Sequence, residues 1–199
     1  MGKASRKKRP VKAKARKSSL GFTVAVVLIV VIGVAGIALS RGGGDDTADG
    51  PGVKIGDHWH ATMGVNMCGT WQGNLPPYEA ATGVHSHGDG FMHIHPFSAA
   101  GAGSNAKVSL FFSQADEKIA ATELNVGGEK RKNGDICENL DKKPGLVRWS
   151  VNGEEKTGNP GDYVPNDRDV VAIAFLPEGV EIGVPPAAAS GANPSDVAG

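Results

Sequence analysis

Hydrophobic and polar residues alternate along the segment HWHATMGVNM, residues 58–67. The apolar positions are Trp59, Ala61, Met63, Val65 and Met67, and the positions between them are His58, His60, Thr62, Gly64 and Asn66. Alternation with a period of two is expected of a half-buried β-strand. The segment is therefore predicted to be a strand with one apolar face and one face that carries histidines.

Three further segments, KVSLFF, LVRWSV and VVAIAFL, are rich in β-branched or aromatic residues and are bounded by turn residues, which predicts strands. The pair Asn152-Gly153 after Val151 predicts a hairpin turn. Only SQADEKIAAT has a helical pattern, with Ser113 as a candidate N-cap. The expected fold is a mainly β, compact domain with one short helix.

A long apolar segment precedes this domain. Residues 20–40, LGFTVAVVLIVVIGVAGIALS, contain no charged residue. Their length matches the roughly 20 apolar residues that a helix needs to cross a bilayer and exceeds the apolar core of a secretory signal. We predict an uncleaved transmembrane helix at 20–40. Cleavage after Ser40 is the alternative, because Ala38 and Ser40 are small residues placed as a signal peptidase requires.

The net charge of zero conceals two regions of opposite charge. Nine of the 21 basic residues lie in residues 1–19, which contain no acidic residue, whereas the chain after Arg41 has 11 basic and 21 acidic residues. Basic residues before a span predict a cytoplasmic N-terminus and an extracytoplasmic C-terminal domain. This topology excludes a cytosolic enzyme. The basic segment is expected to contact anionic lipid rather than nucleic acid.

Composition divides the exported part into three regions. Residues 41–53 are rich in Gly and Asp, which predicts a flexible stalk. Residues 54–184 are long enough for one hydrophobic core and are expected to form the extracytoplasmic domain. Residues 185–199 have a low-complexity sequence rich in Ala and Pro, which predicts a disordered tail.

The chain contains two cysteines, Cys68 and Cys137, both in the exported part. An even number of cysteines in an oxidising compartment favours a disulfide. This disulfide would close a loop of about 70 residues and stabilise the fold by roughly 4 kcal/mol. A metal thiolate or a redox thiol is the alternative, although no CxxC motif is present.

All six histidines lie within 38 residues and form three His-x-His pairs. The pairs are His58 and His60, His85 and His87, and His93 and His95. Residues two apart on a strand project to the same face, so each pair can present two imidazoles to one ion. Gly88-Asp89-Gly90 predicts a turn that folds the second and third pairs into a hairpin. The first pair joins them if its strand lies alongside.

Neutral imidazoles are suited to copper and zinc, and we predict a site for one of these ions. Asp57 and Asp89 are candidate ligands, or acceptors that orient an imidazole by accepting its N–H. Two interpretations without a metal stay open. The histidines could form hydrogen bonds within a structural surface, or a surface that becomes charged below about pH 6.5.

Several segments together resemble a family of single-pass, exported proteins typical of actinobacteria. These segments are HWHATMGV, GVHSHGDGFMHIHPF, KNGD at 132–135, VNG at 151–153 and VAIAFLPEG at 171–179. The resemblance covers roughly residues 57–182. It implies the same topology and a single extracytoplasmic domain. The family has no assigned activity, ligand or catalytic residue, so the resemblance implies no chemistry.

The sequence thus predicts a membrane-anchored, extracytoplasmic module that binds copper or zinc for buffering, delivery or sensing. A metal-dependent enzyme of the cell envelope is the first alternative, although no catalytic residue is identified. The second alternative is a metal-free structural or interaction domain with a protein partner in the envelope. An enzyme would leave one coordination position open beside a pocket, whereas a metal buffer would have a full set of ligands.

Overall fold

The computed structural model describes residues 52–195. Its strands are β1 (Trp59–Met67), β2 (Thr70–Trp71), β3 (Val84–His85), β4 (Phe91–Ile94), β5 (Lys118–Ile119), β6 (Glu123–Val126), β7 (Glu129–Lys132), β8 (Ile136–Cys137), β9 (Lys143–Pro144), β10 (Leu146–Val151), β11 (Glu154–Lys156) and β12 (Val170–Leu176). Its α-helices are α1 (Val108–Ser113) and α2 (Pro186–Ala189), and short 3-10 turns lie at Ala99–Gly101, Gly103–Asn105 and Pro160–Asp162. The prediction of a mainly β domain is confirmed.

The main sheet has seven strands, in the order β11-β10-β12-β1-β4-β3, with β2 paired to one end of β1. Strand β1 lies in the middle, parallel to β12 and antiparallel to β4. The strands predicted from HWHATMGVNM, LVRWSV and VVAIAFL are all present in this sheet. The hairpin predicted at Asn152-Gly153 joins β10 to β11. Smaller sheets are formed by β5-β6-β7 and by β8-β9.

The hydrophobic core lies on the face of the main sheet opposite the histidines. The alternating apolar residues of β1 after Trp59 are buried there beside residues of β12. Val108, Phe111 and Phe112 of α1 cover this face, together with Leu124 and Val126 of β6. Burial of these side chains removes apolar area from water, which is the main stabilising contribution to the fold.

The position of the first helix differs from the prediction. KVSLFF was expected to be a strand, but α1 covers Val108–Ser113. Its buried residues Val108, Phe111 and Phe112 are spaced as on one face of a helix, and a short apolar run does not distinguish a strand from a helix. The helix predicted for SQADEKIAAT is wrong, because the backbone at Asp116 is left-handed, with φ 59°. Ser113 ends α1 instead of capping a helix.

The predicted disulfide between Cys68 and Cys137 is confirmed. Cys68 directly follows β1, and Cys137 is the fully buried end of β8. The bond therefore fastens the small β8-β9 sheet to the central strand of the main sheet.

The ends of the domain lie beyond the predicted bounds. Val53, assigned to the stalk by composition, is fully buried, and its carbonyl accepts a hydrogen bond from the Gly103 backbone at 2.7 Å. The segment after Val184 was predicted to be disordered, but residues 186–189 form α2. Ser195 also contacts the domain, because its backbone N–H donates to Asp89. No helix within residues 52–195 is long and apolar enough to cross a membrane. The predicted basic segment, span and most of the stalk lie outside the described residues.

Candidate metal centre

Strand register brings all six histidines to one face of the main sheet. His93 of β4 lies opposite His60 of β1 on one side and opposite His85 of β3 on the other. The second member of each His-x-His pair is two residues away and projects to the same face. The opposite face of these strands carries apolar residues, which are Ala61, Val84, Met92 and Ile94. The hairpin between the second and third pairs is present, as predicted.

Glycines make this arrangement of strands possible. The turn between β3 and β4 contains Gly88 and Gly90, with φ angles of 81° and 89°. Gly83, just before β3, has φ 82°, and a Cβ atom there would overlap the His95 carbonyl oxygen. The left-handed region and such a close approach both favour glycine. The glycines therefore allow β3 to lie beside β4 with its histidines level with those of β4.

The six imidazoles form two groups of three that could each hold a metal ion. We call His85, His87 and His93 the buried triad, and His58, His60 and His95 the groove triad. Within each triad, one potential ligand atom per residue lies within 4.8 Å of the others. Each triad combines a complete His-x-His pair with one histidine of the third pair, because β4 lies between the other two strands.

Nitrogen atoms of the complete pairs converge. The Nε2 atoms of His85 and His87 are 3.0 Å apart, and those of His58 and His60 are 3.2 Å apart. Two nitrogen ligands at the usual zinc distance of about 2.05 Å are about 3.3 Å apart when the coordination is tetrahedral. The observed separations are therefore close to those of two imidazoles bound to one ion.

The surroundings of His85 and His87 favour one tautomer of each ring. Nδ1 of His85 lies 3.3 Å from the Gly83 carbonyl oxygen, which can only accept. Nδ1 of His87 lies 3.0 Å from the Ser195 hydroxyl, which itself donates to Asp89 and so accepts from His87. Both contacts favour the tautomer with the proton on Nδ1. In the neutral rings both lone pairs are on Nε2, the two atoms that face each other.

Asp89 holds the third ring of the buried triad. Its carboxylate oxygens lie 3.0 and 3.1 Å from Nε2 of His93, and it also accepts hydrogen bonds from the backbone of Phe91 and from the backbone and hydroxyl of Ser195. Partial burial acts to raise the pKa of the Asp89 carboxyl, but the hydrogen bonds from Ser195, His93 and Phe91 lower it to about 2. Asp89 is therefore an anion at neutral pH that accepts the imidazole N–H.

The groove triad lies beside a groove of about 690 Å³. The residues that line it are His58, His60, Thr62, Phe91, Asp167, Arg168, Ala192, Asn193 and Pro194. The loop at 167–168 binds the backbone of His60 on both sides, since Asp167 accepts from the His60 N–H at 3.0 Å and the Arg168 N–H donates to the His60 carbonyl at 2.7 Å. His58 is exposed, in contrast to the fully buried ring of His93.

Two of the residues beside the triads were not predicted from the sequence. Asp167 is remote from the histidines in the sequence, and Ser195 lies in the segment expected to be disordered. No motif marks either residue, because both reach the site through tertiary contacts. Asp57 was a candidate ligand or acceptor, but its carboxylate accepts from the Lys54 backbone N–H at 2.7 Å, in the turn before β1.

No protein family, no curated protein and no solved structure gives a significant match to this chain. The chemistry of the site therefore follows from its own geometry. Six imidazoles and one half-buried carboxylate beside a groove form a set of donors suited to transition metals.

Proposed function

We propose that this protein binds copper or zinc ions outside the cell and buffers, delivers or senses them. Imidazole nitrogen suits both metals, and the copper(II) ion binds such ligands more tightly wherever the geometry permits. The two histidine triads supply six of these ligands on one face of the main sheet.

The observation that carries the proposal is the 3.0 Å approach of Nε2 of His85 to Nε2 of His87. The Gly83 carbonyl and the Ser195 hydroxyl direct the proton of each ring to Nδ1. Two lone pairs at this distance repel each other unless a cation lies between them. A metal ion bound to both nitrogens removes the repulsion, and His93 lies close enough to supply a third ligand to the same ion.

The location outside the cell is part of the same proposal. The disulfide between Cys68 and Cys137 supports it, because disulfides persist in oxidising compartments. The predicted span at 20–40 and the basic segment at 1–19 would anchor the domain to the membrane. Protease added to intact cells should then degrade the domain and spare the N-terminal segment. Protection of the whole chain until the cells are lysed would contradict this topology.

Metal analysis of the full chain tests the proposal. The protein is purified in detergent, with a tag that lacks histidine, and its metal content is measured before and after incubation with Cu(II) or Zn(II). A variant with His85→Ala and His87→Ala should lose about one equivalent of metal. A variant with His58→Ala and His60→Ala is the matched control, because it should keep the ion of the buried triad.

Circular dichroism of each variant verifies that the fold is retained. Absence of bound metal in the wild-type protein, after both ions have been supplied, would overturn the proposal. The histidines would then belong to a structural or interaction domain.

A second candidate function is a metal-dependent enzyme, and the groove beside His58 and His60 favours it. An ion in the groove triad with an open coordination position could activate a water molecule. The Asp167 carboxylate, which lines the groove, is the candidate base. Hydrolysis of 4-nitrophenyl acetate by the zinc-loaded chain, lost in both His58→Ala and Asp167→Asn, would support this function. Equal rates in the wild-type and His58→Ala proteins would exclude it for this probe.

A further inference from the structure

We infer that the two triads form an adjacent and unequal pair, in which the buried triad retains its ion while the groove triad exchanges its ion with ligands that enter the groove. This inference rests on the proposed metal binding and deepens it. It assigns storage and delivery to different histidines of the same sheet face.

The two triads are close enough to influence each other. Between triads, the ring centroids of His60 and His93 are 4.8 Å apart, and those of His85 and His95 are 5.0 Å apart. Within triads, the rings of His60 and His95 are 5.6 Å apart. The two shortest separations between the triads thus fall inside the range of 3.8 to 5.6 Å found within them, and the six rings form a continuous array.

Adjacent sites with neutral ligands cannot fill independently. Two divalent ions repel four times as strongly as two unit charges at the same distance. The ion that binds second therefore binds more weakly than it would alone. The order of filling is decided by which triad has more negative charge close to its ligands.

Negative charge favours the buried triad as the first site to fill. Asp89 contacts the ring of His93 directly at 3.0 Å and is linked through Ser195 to His87. A carboxylate that accepts the N–H of a ligating imidazole makes the ring a stronger ligand. Near the groove triad, the carboxylate of Asp167 accepts from the His60 backbone and lies 3.5 Å from Arg168, so part of its charge is compensated.

Access favours exchange at the groove triad. The side chain of His93 has no exposed surface and that of His85 is also buried. In contrast, His58 is exposed and lines the groove together with His60. A chelating molecule can thus reach an ion in the groove triad through the exposed His58, whereas two ligands of the buried triad are buried and only His87 is part-exposed, with 29% of its side-chain surface accessible.

Titration of the metal-free full chain with Zn(II), followed by removal with the chromophoric chelator 4-(2-pyridylazo)resorcinol, tests the inference. The wild-type protein should bind two equivalents, of which one binds at least about tenfold more weakly and is removed first. The His58→Ala/His60→Ala variant should lose only this weaker, rapidly removed equivalent. The Asp89→Asn variant, which changes one atom type and leaves every histidine in place, should weaken the tight equivalent by about 10- to 100-fold.

Three results would overturn the inference while leaving metal binding intact. One is a pair of equivalents with equal affinity and equal rates of removal. The second is loss of the slowly removed equivalent in His58→Ala/His60→Ala. The third is a wild-type chain that binds only one equivalent of zinc, which His58→Ala/His60→Ala still retains. A wild-type chain that binds no zinc at all would instead contradict the proposed function itself.

Discussion

The hydroxyl oxygen of Ser195 lies 3.0 Å from Nδ1 of His87, a residue 108 positions earlier in the chain. The same hydroxyl donates to Asp89 at 2.9 Å, and the Ser195 backbone N–H donates to Asp89 at 3.0 Å. The C-terminal segment is therefore part of the buried triad's surroundings. It fixes the ring of His87 with Nε2 turned toward His85.

Replacement of this serine should weaken the metal site without removing a ligand. Ser195→Ala is expected to lower the zinc affinity of the buried triad by about tenfold or more, the range found when an acceptor behind a ligating histidine is lost. Competition with a chelator of known affinity measures the change. Ser190→Ala is the matched control, because its hydroxyl donates to the Ala187 carbonyl within the same segment. Equal affinities in the two variants would show that the Ser195 hydroxyl does not orient His87.

Gly83 should be essential for the association of β3 with β4. Its φ is 82°, and an added Cβ would overlap the carbonyl of His95. Gly83→Ala should destabilise the fold by more than about 3 kcal/mol and reduce metal binding by both triads. Gly128→Ala is the control, since Gly128 has φ 77° and no neighbouring atom within 4 Å. Gly128→Ala should lower the free energy of unfolding by only about 1 kcal/mol, because alanine adopts the left-handed backbone less readily than glycine. Chemical denaturation of both variants compares the two costs, and similar values would contradict the steric argument.

The carboxylate of Asp169 should make the stability of the fold depend on pH in the acidic range. This buried carboxylate accepts hydrogen bonds from Tyr163, from Asn152 and from the backbone and side chain of Asn166. Burial acts to raise the pKa of Asp169, but these hydrogen bonds outweigh it and lower the pKa below its ordinary value. The carboxylate therefore stabilises the fold at pH values above the ordinary pKa of about 3.9, and this contribution is lost as the pH falls through the folded-state pKa.

Asp169→Asn should consequently reduce the free energy of unfolding by about 1 to 3 kcal/mol at pH 7. The difference from the wild-type protein should shrink as the pH falls below 4, because the unfolded wild-type chain then binds a proton at this position that the folded protein does not yet bind. Urea denaturation at a series of pH values measures both effects. Asp141→Asn, at a side chain that is 83% exposed, is expected to change stability little at any pH. A difference that stays constant between pH 7 and pH 3 would rule out the ionised carboxylate as its source.

Removal of the disulfide should destabilise the domain without abolishing the metal site. Cys68 and Cys137 are 69 residues apart in sequence, and a cross-link of this length is expected to contribute roughly 4 kcal/mol by restricting the unfolded chain. A variant with Cys68→Ala and Cys137→Ala should show this loss in chemical denaturation under non-reducing conditions. Metal content below the denaturation range should be unchanged, because neither cysteine lies in a triad. Loss of metal in a variant that is still folded would show that metal binding requires the disulfide.

Much of the fold near the site could be predicted from local patterns. Alternation in HWHATMGVNM predicted β1, and the Asn152-Gly153 pair predicted the hairpin between β10 and β11. These features depend on residues that are neighbours in the chain, and the period of a strand relates them directly. The helix α1 was missed because six residues with four apolar positions fit a short strand equally well.

The residues beside the triads depend on contacts between remote segments. Asp167 reaches the His60 backbone because its loop precedes β12, which pairs with β1 in parallel. Ser195 reaches Asp89 because the segment after β12 returns to the histidine face. Parallel pairing requires a long connection between the strands. The spacing of residues in the sequence therefore cannot indicate which remote residues the pairing of β1 with β12 brings together.

The sequence by itself determined that the two imidazoles of each His-x-His pair lie on one face, since strand geometry alone places residues two apart together. It also determined the hairpin that aligns the second and third pairs. Only the tertiary structure decided that His93 joins His85 and His87 while His95 joins His58 and His60. The physical reason is that lateral neighbours in a sheet are set by strand order and register, and these follow from packing of the whole core.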